Sequence, residues 1–179
     1  MDLIQLALDC GACKAEYLRG DQIVLSAEFR KICEGNGCGN YNRCYMCPPD
    51  IGPIDALMDQ VRQYPHAVLY QSISPLEDSF DFEGMMEAGH HHAMLSRRIQ
   101  DRLQKTDVLH LSSGGCHLCE VCAKRDNLPC RQPDKALASL EGYGIDVYNT
   151  AQATTLKYVN GPDTVTYFGI LLYSEDHHG

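Results

Sequence analysis

Ala67-Val-Leu-Tyr-Gln-Ser-Ile73 is a short, nearly continuous apolar run that reads as a buried strand. From Phe82 to about Lys105, residues Phe82, Met85, Met86, Ala93, Ile99 and Leu103 fall broadly on one helical face, which predicts the longest helix of the chain. Met85, Met86 and Met94 are expected to fill the core beneath it. Val108 to Leu111 then reads as a second strand, running directly into a cysteine-rich loop. Strand, long helix and strand together set the fold class.

Towards the N-terminus, Gly52-Pro53 marks a helix start, and Ile54, Leu57 and Val61 repeat at helical spacing until Pro65. Lys14 to Leu18 reads as a strand and Ile23-Val24-Leu25 as another. Towards the C-terminus, Pro133 opens a helix to about Leu140 that Gly142 can end, and a helical turn follows Asn149. Thr155 to Val159, Asn160-Gly161 and Thr164 to Tyr173 predict a hairpin on an Asn-Gly turn. The expected architecture is α+β or α/β. It has a mixed sheet with packed helices, a C-terminal β-hairpin and two cysteine-rich metal-binding loops beside the sheet. Residues 1–179 are read as a single metal-binding domain, with no internal repeat and no low-complexity linker.

The loops carry the chemistry. Cys116-His-Leu-Cys119-Glu-Val-Cys122, closed by Cys130, has the spacing by which a chain wraps a cubane iron–sulfur cluster. The match to the bacterial ferredoxin run is partial, since the last gap there is shorter. Zinc is the alternative, but structural zinc sites favour two well-separated pairs of cysteines. Gly114 and Gly115 let backbone amides approach inorganic sulfur, and Arg131 can offset cluster charge. The second group, Cys33-Glu-Gly-Asn-Gly-Cys38-Gly-Asn-Tyr-Asn-Arg-Cys44-Tyr-Met-Cys47-Pro-Pro49, is irregular, and iron–sulfur is again preferred over zinc. The two loops do not resemble each other, which argues against a duplicated ferredoxin.

These stretches resemble a known family. Cys33 to Pro49, with Gly39, Tyr41 and the Cys-Pro-Pro ending, is similar to one signature of the cysteine-rich "predicted metal-binding protein" family of bacteria and archaea. Gly115-Cys116 through Cys130-Arg131, Pro133, Ser139, Glu141 and Tyr143-Gly144-Ile145-Asp146-Val147 is similar to its second signature. The resemblance spans about Lys14 to Tyr173. It implies metal binding, without a particular reaction, and matches Cys33, Cys38 and Cys47 to the cysteines of the first signature. Cys44, Cys10 and Cys13 are additions to that pattern. Cys44 is read as a free thiol beside a three-cysteine site, with a fourth ligand special to this chain as the alternative.

The ten cysteines would suit a disulfide scaffold only in a secretory context. The N-terminus has no basic region and no adequate apolar run, so no signal peptide is read, and no segment is long enough to span a membrane. A reducing cytoplasm is the expected location. The net charge of −9 and the lack of a basic run argue against nucleic acid as a partner.

Cys10-Gly-Ala-Cys13 lacks the setting of a thioredoxin motif and is expected to be dispensable for metal binding. His90-His91-His92 cannot all face one centre on a helix and are read as a solvated face. His117 is either a donor to cluster sulfur or simply exposed, and no role is assigned to His177-His178. The expected cofactors are two [4Fe-4S] clusters, one on Cys116, Cys119, Cys122 and Cys130, the other on Cys33, Cys38 and Cys47. Three functions remain: electron transfer or reductive activation of a redox partner protein; sulfur removal or a lyase-type reaction on a small-molecule substrate at an open iron; and zinc or iron storage or delivery.

Overall fold

The structure is a computed structural model and describes residues 1–103 and 107–174. The Ala67–Ile73 run lies within strand β2 (His66–Pro75), where alternate residues divide between two cores. Ala67 and Leu69 face one way, with Phe168, Ile170 and Leu172 of the C-terminal strand Thr164–Tyr173. Val68 and Tyr70 face the other way, with Leu171 and Tyr173. A strand covered on both faces needs a near-continuous apolar run, and this one has it.

The sheet is mixed. It comprises β1 (Lys14–Arg19), β2, β3 (Val108–Ser112), β4 (Ala138–Ser139) and β5 (Thr164–Tyr173), in the spatial order β1-β2-β5-β3-β4. β3 and β4 pair in parallel and the other neighbours are antiparallel. The helices are α1 (Leu3–Asp9), α2 (Glu28–Glu34), α3 (Ile54–Arg62), α4 (Phe82–Leu103) and α5 (Val147–Ala151). Leu3 and Leu6 of α1 and Leu95, Ile99 and Leu103 of α4 cover one face of the sheet. Val61 of α3, Val147 and Ala151 of α5, and Ile145 cover the other. Each fully buried leucine or isoleucine contributes about 1.5–3 kcal/mol, and these two layers supply most of that burial. The mixed α+β architecture is as expected.

Several local expectations need correction. There is no C-terminal hairpin: both edges of β5 are already occupied, by β2 and β3, so Thr155–Val159 has no ladder to join. That segment is exposed except at Leu156, and Glu16 holds it through the Thr155 backbone N–H (3.0 Å) and hydroxyl. The helix expected from Pro133 to Leu140 is a turn followed by β4. Ala138 and Leu140 are both buried, a two-residue spacing that suits a strand. Ile23–Leu25 forms an isolated bridge between Leu25 and Ile145 instead of a strand. Phe82 and Met86 are 71% and 77% exposed, and Met94 is also exposed, so the buried stripe of α4 runs through Ala88, His92, Leu95, Ser96, Ile99 and Leu103. Lys105, His177 and His178 lie outside the described residues.

His92 and His110 bring polar groups into the core. Gln100 Oε1 only accepts, so His110 donates from Nδ1 (3.0 Å) and accepts from the Tyr70 hydroxyl at Nε2 (2.7 Å). Tyr70 then accepts from Ser96 (2.9 Å), and Ser96 from Ser112 (2.7 Å). His92 donates from Nε2 to the Phe168 carbonyl (3.1 Å) and accepts from Ser72 (2.8 Å). Both imidazoles are therefore held neutral. Burial pushes His92 down to about 4, and burial aided by neighbouring His92 pushes His110 down to about 3.

Two outcomes follow. In the unfolded chain both histidines titrate near 6.5, so their stabilisation is complete above that pH and is lost as pH falls towards 4. Denaturant unfolding should show a loss of about 1.4 kcal/mol per pH unit per histidine in that window, and His92→Gln should flatten the slope. Stability that does not change from neutral pH to about 5 would contradict the assignment. Gly169 lies opposite Tyr70 in the ladder, and a Cβ there would overlap the Tyr70 ring. Gly169→Ala should cost about 1–3 kcal/mol or more in the same assay.

Candidate metal centre

Both cysteine loops meet at one end of the sheet. The C-terminal loop leaves β3 at Ser112 and returns as β4. The turn Glu141–Tyr143 beyond β4 packs against α2 and α3, which flank the N-terminal loop. Across the junction, the Tyr45 hydroxyl donates to the Leu128 carbonyl (2.7 Å), and Lys124 pairs with Asp50 at 2.6 Å while lying 5.5 Å from the Tyr45 ring centre. A Cβ on Gly115 would stand 3.0 Å from Asn40 Nδ2 and 3.7 Å from Cys47 Sγ, so glycine lets the two loops touch.

Cys33 sits in the last turn of α2, Cys38 in the turn after it, and Cys47 before Pro48. All three line a cavity of about 360 Å³ with Asn40, Ser139 and Glu141. Burial, then the neighbouring Cys38, raises the Cys33 thiol, while the Arg30 guanidinium opposes the shift. Arg30 donates NH1 to the Gly52 carbonyl (2.8 Å), but its buried Nε and NH2 have no partner. Burial also raises Glu141. A second cavity of about 380 Å³, bordered by Met85, Met86, His90 and Tyr167, shares Gly114 and His117 with the first.

Cys116, Cys119, Cys122 and Cys130 are half-buried in the C-terminal loop. Burial raises Cys116, opposed by backbone N–H groups of Leu118 and Leu137; Cys44 and Cys130 are close enough to add electrostatically. Gln132 Nε2 reaches the Cys119 sulfur at 4.0 Å. Cys44 is buried between the groups. Contact with Cys47 lowers it to about 6, helped by the Met46 and Cys116 amides and by Cys122. Contact with Cys44, then burial, raises Cys47 strongly, so the two thiols titrate as a pair. Among the described residues, no three His, Cys, Asp or Glu side chains are grouped closely enough to hold a single metal ion.

The chain belongs to the predicted metal-binding protein family. The family described as Predicted metal-binding protein (DUF2284) matches residues 16–173, nearly the span carried by the resemblance in the sequence. Comparison with curated proteins and with solved structures gave no match. The family description is of predicted metal binding and names neither the metal nor its ligands.

Sequence spacing grouped Cys33, Cys38, Cys44 and Cys47, the family resemblance singled out Cys33, Cys38 and Cys47, and the structure brings those three to one cavity. It also places Cys44 against Cys122 and the Cys116 amide, a junction that spacing alone did not show. Arg30 and Glu141 were missed as parts of this environment. Arg30 lies one helical turn before Cys33, which was a usable signal; Glu141 carried none in the spacing of the cysteines. Of the three histidines, His90 and His91 are exposed as expected, but His92 is fully buried. His117 is exposed at the border of both cavities, and Arg97 donates to its carbonyl.

Neither Cys10 nor Cys13 lines the cavity of Cys33, Cys38 and Cys47. Cys10 is buried beside α4 and accepts from Arg102 (3.7 Å), while Cys13 accepts from the Ile73 amide (3.4 Å). The Cys10→Ser/Cys13→Ser double variant should therefore keep the full metal content of the wild type, measured by elemental analysis. Loss of a whole metal centre would show that the pair completes a site.

Proposed function

We propose that this family member is an iron–sulfur protein of the cytoplasm with two [4Fe-4S] clusters. Cys116, Cys119, Cys122 and Cys130 would hold one; Cys33, Cys38 and Cys47 would hold the other beside the cavity of about 360 Å³. Bound clusters supply reversible electron storage and, at an iron without a cysteine, Lewis acidity. The proposed role is electron transfer coupled to a reaction at the cavity. A small molecule such as a sulfur compound or a dehydratable substrate would bind there, and a redox partner would supply electrons.

The observation that carries this reading is the cavity flanked by three thiols rather than four. Arg30 supports it. Its two unpartnered buried donors beside Cys33 suit an anionic group, because a buried guanidinium left unpaired is costly. The requirement for sulfurs in near-contact around one tetrahedral ion makes a single zinc a poorer fit to ligands this dispersed. All ten cysteines are free thiols, which is consistent with a reducing compartment. Met85, Met86 and Tyr167 give the adjoining cavity an apolar wall, and Gly114 and His117 connect it to the thiol-lined one.

A second reading is a pure electron carrier for a partner enzyme. It is favoured by Cys44, which lies within reach of Cys47 and could close the centre.

Anaerobic iron and acid-labile sulfide analysis, with electron paramagnetic resonance of the reduced protein, tests the proposal. Two cubanes per chain are expected, and Cys116→Ser should lose one of them together with thermal stability, because metal binding also stabilises flexible loops. A protein purified without oxygen that contains only zinc would overturn it. Cys44→Ser should keep both clusters. Loss of one would make Cys44 a ligand and turn the reading to the closed electron carrier.

A further inference from the structure

Glu141 is an acidic side chain in an unusual place. It lines the same cavity as Cys33, Cys38 and Cys47 and lies close enough to Cys33 to act on it electrostatically. The backbone around it is fixed. Leu140 is fully buried and its amide donates to the Ser112 carbonyl (3.0 Å); the Gly142 amide donates to the Ser139 hydroxyl (2.9 Å). The carboxylate receives a hydrogen bond from its own backbone amide, and among the described residues no Lys, Arg or His forms an ion pair with it.

We infer that the Glu141 carboxylate is the fourth protein ligand of the centre held by Cys33, Cys38 and Cys47. The inference rests on the iron–sulfur reading above and deepens it. Three cysteines and a carboxylic acid line one cavity with the Arg30 guanidinium beside Cys33, and a bound metal centre would favour the ionised forms of all four donors. The alternatives along the same wall are weaker. Ser139 is already committed as an acceptor for Gly142, Asn40 packs against Gly115, and His117 is exposed. Among the cavity-lining side chains, Glu141 is the carboxylate, and its turn holds it there outside any ion pair of the described residues.

The coordination has a chemical consequence. A carboxylate is a harder and more exchangeable donor to iron than a thiolate, so a small anion or thiol entering the cavity would displace Glu141 before any cysteine. Ligand type also tunes potential, as oxygen or nitrogen donors in place of thiolate generally raise it. Glu141 would thus both close the centre at rest and yield one position to an incoming molecule.

The test uses the full-length chain, reconstituted anaerobically with iron-57 and sulfide. Mössbauer and electron paramagnetic resonance spectra and redox titrations are compared for wild type, Glu141→Gln and Glu141→Cys, with circular dichroism as the folding check. In wild type, one iron of the second centre should differ from its all-thiolate neighbours. Glu141→Cys should keep full iron, lose that distinction and titrate at a lower potential. Glu141→Gln should leave the Cys116 cluster unchanged and alter the second signal or lose about half the iron. Wild-type spectra and potential in a folded Glu141→Cys protein would overturn the inference while leaving the two-cluster reading intact. A wild-type protein without a second centre would overturn both, and it would be recognised before any variant is made.

Discussion

Strand β5 holds ladder partners along both edges, β2 on one side and β3 on the other. This double pairing makes the last strand in sequence the middle strand in space, so the sheet is complete only when the C-terminus arrives. It also makes β2 and β3 parallel, since each runs antiparallel to β5. β4 then adds in parallel to β3. The carboxyl ends of β3 and β4 consequently border the region where both cysteine loops lie, a common place for ligands in sheets that carry parallel strands.

The same pairing explains the polar groups in the second core. Tyr70 faces α4 from β2, His110 reaches it from β3, and Ser96 reaches it from α4, so three elements share one hydrogen-bonded chain. A buried tyrosine hydroxyl or imidazole without a partner would cost more than the chain contributes, so its members depend on each other. Ser112 ends the chain and also ends β3, four residues before Cys116. The position of the C-terminal cysteine loop is therefore tied to the packing of α4. Gln71 is the contrast: its buried amide atoms have no partner, and nothing in the structure accounts for it.

What the sequence disclosed follows how strongly each segment's burial imposes a period. β2, β3, α3 and α4 were legible because each buries a regular stripe, although the stripe of α4 was placed on the wrong residues near Phe82 and Met86. α1 was missed despite a readable signal: Asp2 accepts from the Ile4 and Gln5 amides, and Leu3, Leu6, Ala7 and Cys10 repeat at helical spacing. α2 buries no residue and has no side-chain cap, so it left no pattern to read. The false hairpin shows the limit of local signals. Asn160-Gly161 does turn the chain, with Asn160 Nδ2 donating to Lys157 O (2.8 Å) and Thr166 Oγ1 (3.0 Å), but strand pairing was decided by distant partners. Cysteine spacing grouped thiols within each loop, whereas contacts between the loops depend on the sheet.

That dependence gives Cys44 its meaning. It is buried where Cys47, Cys122 and the Cys116 amide converge, so the two loops meet at this sulfur. Outside this point the loops hold together through Tyr45 with Leu128, Lys124 with Asp50 and the Gly115 approach, with Ala123 as a buried apolar residue of the C-terminal loop. The N-terminal loop adds only Met46 and Ile51 to the edge of the main core, and the thiols of both loops repel one another once ionised. In the proposed reading, the bound metal supplies the missing cohesion and joins two loops that the sheet merely brings near. Cys44 then acts at the seam: an N–H acceptor that links the loops from within and leaves the cavity side free for Cys33, Cys38, Cys47 and Glu141.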